Sequence, residues 1–225
     1  MKIKVIGMLI FLFCAQHGLA NNKHGIAPVN SSWNLSFLDS IGERYRVLKI
    51  SKGDKLVREL NGSVDGDFEK PGQESFSPDG EFLVVYQVIS GNVEEPGIES
   101  FLHEVSYCNM IRLSNGCIIF RTSGIFCAGE FSPKSEWVEY DGSTLSLSKE
   151  APSIKGYADM EFASEGSPVY SLDNLLACDP ISKNNVGDYQ RALERGLFGE
   201  GEIESRELVK KIERLMEDLY SSSPN

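Results

Sequence analysis

Residues 74–148 constrain the fold most strongly, because they alternate turn signals with short, β-rich apolar runs. Two Phe-Ser-Pro triplets, beginning at Phe76 and Phe131, each come just before such a run, and proline presets φ for a turn. Between them, Asn115-Gly116 joins two further β-rich runs and is a strong signal for a tight hairpin. We therefore predict antiparallel β-meanders in this part of the chain.

The first triplet opens the sequence FSPDGEFLVVY, which resembles the repeat of TolB-type, WD40-like propeller blades. FSPKSEWVEYDG at residues 131–142 is a degraded second copy, and residues 162–170 are similar to a third. The resemblance implies propeller-like sheets with a binding face built from loops, and it carries no catalytic residues. Blades repeat every ~40–50 residues, and closed rings contain ~4–8 of them. Residues 33–178 have room for about three blades, which favours an open or sandwich-like arrangement.

Other elements can be placed along the chain by their periodicity. Residues 45–50 and 55–60 alternate around a Gly-Asp turn, which predicts a hairpin with one solvent-facing side. Residues 158–162 and 168–172 are β-type, whereas residues 188–195 and 202–220 have helical patterns. The predicted fold is mainly β, with antiparallel meanders in a propeller-like or open-sandwich arrangement and a C-terminal helical tail.

This pattern divides the chain into three parts. Residues 1–20 are predicted to form a signal peptide, residues 21–180 a β-rich propeller-like domain, and residues 181–225 a helical segment packed on that domain. The last helix has one apolar face, which contains Leu208, Ile212, Leu215 and Leu219. We predict that this face packs against the sheet; the alternative is docking on a partner or on a second copy.

The N-terminal segment has the features of a secretory signal. Two lysines precede an apolar run over residues 5–14, and small residues lead to a cleavage site after Ala20. The run is too short to span a bilayer, and the bulky Phe13 argues against lipidation of Cys14. We therefore predict a periplasmic or secreted protein that does not insert into a membrane.

Acidic residues dominate the charge of the chain. The formal net charge is −11, and removal of residues 1–20, which hold two lysines and no acid, makes it −13. An acidic surface repels phosphate groups, which argues against nucleic acid and anionic membranes as partners. A protein partner with a basic surface fits this charge better.

Four cysteines remain after removal of the signal, and an even number in an exported chain indicates two disulfides. Three pairings are open for Cys108, Cys117, Cys127 and Cys178. If the Asn-Gly pair forms a two-residue turn, Cys108 faces Ser123, and a bond from Cys108 to Cys117 would need a bulge. A zinc site is disfavoured, since paired Cys-x-x-Cys spacing is missing from the sequence.

No sequence pattern of a metal, cofactor or catalytic site is complete. Asp65, Asp67 and Glu69 are spaced two apart as calcium ligands can be, but the full calcium loop is missing and a solvated acidic turn is preferred. The mature chain has only His24 and His103, and the usual nucleophile, phosphate-loop and zinc-protease motifs do not occur. We predict a non-catalytic protein without cofactor or metal. Paired carboxylates for glycoside hydrolysis are the alternative.

One segment is predicted to bind a partner. Residues 91–104 form the longest acidic interruption of the central meander, and we expect residues 91–103 to be a loop that projects from the sheet edge. Its predicted contact residues, with glutamates for a basic cleft and apolar residues as anchors, are Glu94, Glu95, Ile98, Glu99, Phe101 and Glu104. The alternative is a solvated insertion without a role.

The chain is small and acidic, with a signal, an even number of mature cysteines and no catalytic motif. This profile is similar to that of periplasmic immunity proteins, which neutralise toxins delivered by type VI secretion systems. The resemblance implies a toxic secreted effector as the partner. An envelope hydrolase with carboxylate catalysis and a TolB-like envelope scaffold are the alternative functions.

The predicted export and signal cleavage can be tested by the mass of the exported protein. Intact-mass spectrometry is expected to show a chain that begins at Asn21. An Ala20→Trp variant serves as the control, because signal cleavage requires small residues and the variant should keep residues 1–20. A wild-type mass that includes residues 1–20, or a lipid on Cys14, would contradict the prediction.

Overall fold

The computed structural model describes residues 24–26, 32–62, 66–94, 97, 99–147, 151–159, 168–198 and 203–221. In this part of the chain, antiparallel strands form a large open sheet and a small sheet, and helices follow them. The protein is therefore mainly β, as the sequence predicts. Its described strands close into neither a propeller nor a barrel.

The described strands of the large sheet are β1 His24–Ile26, β2 Trp33–Ile41, β3 Arg44–Lys52, β4 Lys55–Asn61, β5 Asp67–Glu69, β6 Phe82–Val93, β7 Phe101–Arg112 and β8 Cys117–Ser123. Those of the small sheet are β9 Glu130–Phe131, β10 Trp137–Val138 and β11 Thr144–Leu145. The described α-helices are α1 Ile154–Asp159, α2 Leu172–Cys178, α3 Val186–Glu194 and α4 Ile203–Ser221. β3 and β4 form the predicted opening hairpin, and α3 and α4 confirm the two predicted helices.

The large sheet forks at β3. Its order is β1-β2-β3-β5-β6-β7-β8, and β4 lies beside β3 outside this order. One edge of β3 serves two neighbours, because Val47 to Lys52 pair with β4 whereas Arg44 and Tyr45 pair with β5. β4 and β5 therefore diverge, and a crevice opens between β4 and the hairpin of β6 and β7.

The first part of β6, from Phe82 to Val88, is buried on both faces of the sheet. Leu83 and Val85 enter a core that they share with side chains of β2, β3 and β4. Phe82 and Val84 point to the other face and pack with Trp137 and other side chains of the second core. A strand that is buried on both sides has a continuous apolar run instead of an alternating one, as β6 does.

The Phe-Ser-Pro triplets form turns before β6 and β10, as predicted. In the first turn, Ser77 N donates a hydrogen bond to Phe82 O. The two turns touch, since Asp79 N donates to Ser135 Oγ at 3.2 Å. The third similar segment ends in a short 3-10 helix at Pro168–Tyr170, and its residues 162–167 lie outside the described part.

The predicted Asn-Gly hairpin joins β7 to β8, but its turn contains four residues instead of two. A bulge also shifts the register of the pair, so Cys108 faces Thr122 and not Ser123. Gly116 has a φ of 68°, and a side chain at this position would come within 2.5 Å of Arg58 Cβ. The positive φ and this close approach explain why the turn uses glycine.

Two segments predicted to be β-type have helical structure instead. Residues 158–159 end α1, residues 160–162 lie outside the described part, and residues 168–172 form the 3-10 helix and the start of α2. The Oγ atoms of Ser153 and Ser171 each accept a hydrogen bond from a backbone N–H three residues later. Such local bonds favour the start of a helix over a strand.

The helices share a core of their own. Ile212 and Met216 of α4 pack with side chains of α1 and α3, including Tyr157 and Tyr189. α4 also contacts α2, and α2 in turn lies against β8. The helical structure begins at Ile154, before the boundary predicted at residue 180.

Both predicted disulfides form, and the structure decides their pairing. Cys108 bonds Cys127, with Cα atoms 5.6 Å apart, which ties β7 to the 3-10 helix that follows β8. Cys117 bonds Cys178, with Cα atoms 4.8 Å apart, which ties the start of β8 to the end of α2. The second bond therefore joins the helices to the sheet.

The amide of Asn174 makes the second connection between α2 and the sheet. Its Oδ1 accepts from Ile118 N at 2.8 Å, and its Nδ2 donates to Ile118 O at 2.9 Å. The same oxygen accepts from Arg58 Nη1 at 3.1 Å, and the same nitrogen donates to Val169 O at 2.8 Å. Asn174 is fully buried, so this one amide completes the edge of β8 as a neighbouring strand would.

Replacement of Asn174 by alanine is expected to lower the free energy of unfolding by roughly 2–4 kcal/mol, since it leaves buried backbone groups of Ile118 unpaired. Urea denaturation with the disulfides intact measures this loss. Asn34→Ala is the matched control, because Asn34 is exposed on β2 and should change stability little. Equal stabilities of the two variants would show that Asn174 does not hold the sheet edge.

Candidate functional site

The hairpin of β6 and β7 extends beyond its neighbours. The pairing of β5 with β6 reaches Val88, and the pairing of β8 with β7 reaches Tyr107. β6 and β7 pair onwards as far as Val93 and Phe101. Residues 89–93 and 101–106 thus form a two-stranded projection, which we name the ribbon, and residues 94–100 between them are its tip. The outer edges of the ribbon pair with no described strand.

The ribbon corrects the expectation of a loop over residues 91–103. Regular strand pairing continues to Val93 and resumes at Phe101, so the connection is shorter than predicted. The strands stay paired because apolar side chains face each other on one side of the ribbon, Ile89 with Val105 and Val93 with Phe101. About five residue pairs at ~3.4 Å each give the paired part a length of roughly 17 Å.

An ion pair fixes the base of the ribbon to the sheet. The two guanidinium nitrogens of Arg44, at the start of β3, donate to the two carboxylate oxygens of Glu104 at 2.8 and 3.0 Å. Ser90 Oγ on β6 donates to Glu104 Oε1 at 2.8 Å. Hydrogen bonds from Arg44, and then from Ser90, lower the pKa of Glu104 to about 2. Glu104 is therefore ionised in the folded protein and holds three strands together.

Apolar side chains are exposed on both faces of the ribbon. Phe101 is 46% exposed on the face of Ile89, and Leu102 is 63% exposed on the other face. Ile89 is also among the exposed large apolar residues. Exposed apolar side chains that are grouped on one projection are typical of a contact surface.

The predicted contact residues lie in different parts of this ribbon. Glu94 and Glu99 are exposed in the tip, whereas Glu95 and Ile98 lie outside the described residues. Phe101 is exposed at the end of β7. Glu104 is paired with Arg44 at the base of the ribbon.

Apart from Arg112 at the end of β7, the Lys, Arg, Asp and Glu residues of the β6–β7 hairpin are all acidic. Residues 82–111 contain four glutamates and neither lysine nor arginine. The nearest cation to these glutamates that the described contacts reveal is Arg44, which is already paired with Glu104. The tip therefore carries negative charge next to apolar contact surface, a combination that suits a basic cleft.

A second feature escaped the sequence analysis. Polar side chains line the crevice beside β4, which has a volume of about 170 Å³. Arg58, Gln87 and Asn109 are buried there, and Asp173 is exposed at its rim. Arg58 shares its strand face with the buried Leu60, so its inward position can be read from the alternation of β4. Gln87 and Asn109 interrupt buried runs, which is the signal that points to them.

The described residues place the other candidate ligands and histidines apart from one another. Within them, no group of three or more His, Cys, Asp or Glu residues is placed to hold a metal ion. Asp65, the first of the predicted calcium-loop acids, lies outside the described part. The strands of His24 and His103 are separated by four other strands, about 24 Å along the sheet at ~4.8 Å each. Among the described helices, none is long and apolar enough to cross a membrane.

Comparison with known proteins adds no relative. No family model matches the chain, and neither the curated proteins nor the solved structures contain a match.

Glu104→Gln is expected to loosen the ribbon, because the amide cannot form the ion pair with Arg44. Amide hydrogen exchange of residues 89–93 and 101–106 should become several-fold faster at neutral pH, while exchange in the buried part of β6 stays unchanged. Glu99→Gln is the control, since Glu99 is exposed in the tip.

The same ion pair predicts a pH dependence. The pKa of Glu104 lies below its ordinary value of 4.5, so its contribution is complete above that pH and is lost as the pH falls towards 2. Nuclear spin relaxation of the ribbon should therefore show greater mobility at pH 2 than at pH 5 in the wild type and less change in Glu104→Gln. Equal ribbon mobility in wild type and variant at both pH values would rule out this role.

Proposed function

We propose that this protein is an exported, non-catalytic protein-binding module that contacts its partner through the ribbon. Its most specific form is a periplasmic immunity protein that binds and neutralises a toxic secreted effector, such as one delivered by a type VI secretion system. The observation that carries the proposal is a projecting two-stranded ribbon with exposed apolar side chains and an acidic tip.

The shape of the ribbon supports insertion into a cleft. Both its faces carry exposed apolar side chains, Phe101 and Leu102, and its edges pair with no other described strand. An aromatic residue near the centre of an interface supplies most of the affinity in many complexes. A cleft that surrounds the ribbon would bury both faces at once.

The charge of the ribbon supports a basic partner. The tip glutamates, Glu94, Glu95 and Glu99, raise the rate of association with a cationic surface and make it sensitive to salt. Many catalytic clefts of toxins that act on phosphate or other anionic groups are basic. An acidic ribbon in such a cleft blocks access of the substrate without any chemistry of its own.

The two disulfides support a function outside the cytoplasm. Both close between described residues, and one of them lies at the root of the ribbon, at Cys108. Disulfides persist in oxidising compartments such as the periplasm. Together with the signal sequence predicted over residues 1–20, they fit an exported protein.

The test begins with candidate effectors encoded beside the gene. Each is produced in the periplasm of a host together with this protein, and growth is measured. Rescue by the exported wild type should be lost when the tip charges are reversed by Glu94→Lys, Glu95→Lys and Glu99→Lys. Phe101→Ala should separately raise the dissociation rate of the purified complex, because it removes the apolar anchor.

Matched controls distinguish an effect of the ribbon residues from an effect of the change in net charge. Reversal of three exposed glutamates elsewhere changes the net charge equally and should keep rescue; these are Glu136, Glu213 and Glu217. Tyr140→Ala removes an aromatic residue that is even more exposed than Phe101 and should leave binding unchanged. Ribbon variants that are folded and bind with wild-type rate, affinity and salt dependence would refute the site. Hydrolysis of envelope glycans by the purified protein would favour the enzyme alternative instead.

A further inference from the structure

One edge of the ribbon is an exposed strand edge of β7. Pairing of β7 with β8 ends at Tyr107, and beyond it no strand lies beside β7 within the described part of the chain. This edge runs along residues 101–106, which are exposed apart from the half-buried Val105. A strand edge carries backbone N–H and C=O groups that point outward. The edge therefore offers hydrogen bonds to a partner, and we name it the open edge.

The hydrogen bonds of the hairpin show which residues point outward at the open edge. Leu113 N donates to Glu81 O at 2.8 Å across the hairpin, one residue beyond the strand ends. The register of β6 with β7 runs from there to the tip without a shift. Because the direction of the backbone groups alternates along a strand, odd-numbered residues of β7 bond to β6 and even-numbered residues point outward. Leu102, Glu104 and Ser106 therefore direct their backbone groups to the open edge.

The spacing of these backbone groups selects the shape of the partner. Each of the three residues has one N–H donor and one C=O acceptor at the edge. Residues that point the same way are ~6.8 Å apart, since a strand advances by ~3.4 Å per residue. A helix does not match this row, because its own backbone groups bond along its axis. An extended strand does match it and can add to the edge of the sheet.

The sequence of the open edge does not protect it against such an addition. Exposed edge strands are usually guarded by lysine, by proline or by a bulge. Residues 101–106 contain neither lysine nor proline, and the pairing of β6 with β7 has no register shift. Their one acidic side chain, Glu104, is held by Arg44. An exposed edge without these features is typical of a strand that pairs with another chain.

The other edge of the ribbon, on β6, has a side chain beside it. Arg44 reaches from β3 towards this edge, and its Nη1 donates to Ser90 Oγ at 3.3 Å. Asp67 of β5 pairs with Val88, directly before the ribbon begins. A strand added to β6 would meet the guanidinium of Arg44, which favours the open edge of β7.

The charge and the apolar side chains around the open edge select the composition of the added strand. Residues 82–111 contain four glutamates and neither lysine nor arginine, and Glu94 and Glu99 are exposed in the tip. A second copy of the ribbon would bring like charges together, whereas lysine or arginine in the added strand would be attracted. Phe101 and Val105 share one face, so apolar side chains at alternate positions of the added strand would pack beside them.

We propose that the open edge of β7 binds an extended strand of a partner protein, in which apolar residues alternate with lysine or arginine. The backbone of this strand bonds to the backbone of Leu102, Glu104 and Ser106. The inference rests on the function proposed above, because it states how the ribbon holds its partner. Main-chain hydrogen bonds supply affinity in such strand addition, and the alternating side chains supply selectivity.

The probe is a synthetic peptide of about seven residues in which lysine alternates with valine, long enough to cover the open edge. Amide hydrogen exchange of the ¹⁵N-labelled wild-type protein is measured with and without it. Exchange at Leu102, Glu104 and Ser106 should slow several-fold, because their N–H groups gain an acceptor. Exchange at His103 and Val105 should change less, since their N–H groups already bond to β6. A peptide of alternating glutamate and valine should protect the open edge less, because its charge has the same sign as the ribbon.

Proline variants test the backbone of the open edge. Leu102→Pro removes an outward N–H without breaking the pairing with β6, and it should weaken binding of the lysine peptide about tenfold. Asn92→Pro is the matched control, because Asn92 lies opposite Leu102 and its N–H points out of the other edge. This control should bind the peptide as the wild type does. Leu102→Ala keeps the N–H and should bind more tightly than Leu102→Pro.

The wild-type exchange pattern decides the proposal even if a proline variant loosens the ribbon. Equal protection of odd- and even-numbered residues in 101–106, equal effects of the two peptides, or no effect of either would overturn it. Protection at Ser90 and Asn92 instead would place the addition on β6. Protection of the open edge that rises with protein concentration in the absence of peptide would mean a second copy as the occupant. Both of these results would overturn the proposal too.

The proposed function is decided separately, by the rescue assay with reversed tip charges. Rescue that depends on the tip, together with unprotected amides at the open edge, would keep the binding function and reject strand addition. Rescue that does not depend on the tip would reject the ribbon as the binding site. The two proposals can therefore fail independently.

Discussion

The connection between sheet and helices depends on one side-chain amide. Asn174 pairs with both backbone groups of Ile118 and at the same time accepts from Arg58, so α2, β8 and β4 meet at a single buried residue. The bond between Cys117 and Cys178 holds the same two elements a few residues away. Because a lone buried amide in this position would be costly without all of its partners, the site selects one arrangement of helix against sheet.

The end of the sheet from which the ribbon extends is held by contacts at the base of the ribbon instead of by a buried amide. There, the hairpin of β6 and β7 leaves its neighbours, and the support comes from Arg44, Glu104 and Ser90 at its base. The bond between Cys108 and Cys127 lies where the pairing with β8 ends, and Tyr86 Oη donates to Cys127 O at 2.7 Å beside it. The ribbon is thus held at its root while its tip stays accessible.

The sequence predicted the strands well and the helices unevenly. The continuous run around Val84 and the Phe-Ser-Pro turns carry local signals, and the structure contains both. The segments before and within α2 were misassigned because a capping serine outweighs a short apolar run. The sequence predicts a loop where the ribbon lies. The pairing of the ribbon strands continues the register of the buried part of the same hairpin, and this leaves no pattern in the ribbon sequence itself. The sequence does not predict the crevice, because the fork at β3 depends on pairing between distant segments. The one local signal is the alternation of β4, which places Arg58 on the same inward face as Leu60.

The ribbon pairs only with itself among the described strands, and this has a consequence for how such a protein can change. Insertion or deletion of two residues in each of its strands moves the tip by about 7 Å and keeps every side chain on its original face. The pairing inside the sheet, the two disulfides and the cores are untouched by such a change. The length of the ribbon can therefore change without a change of fold. Proteins that descend from one ancestor can differ in how far the ribbon extends while they keep the same sheet and helices.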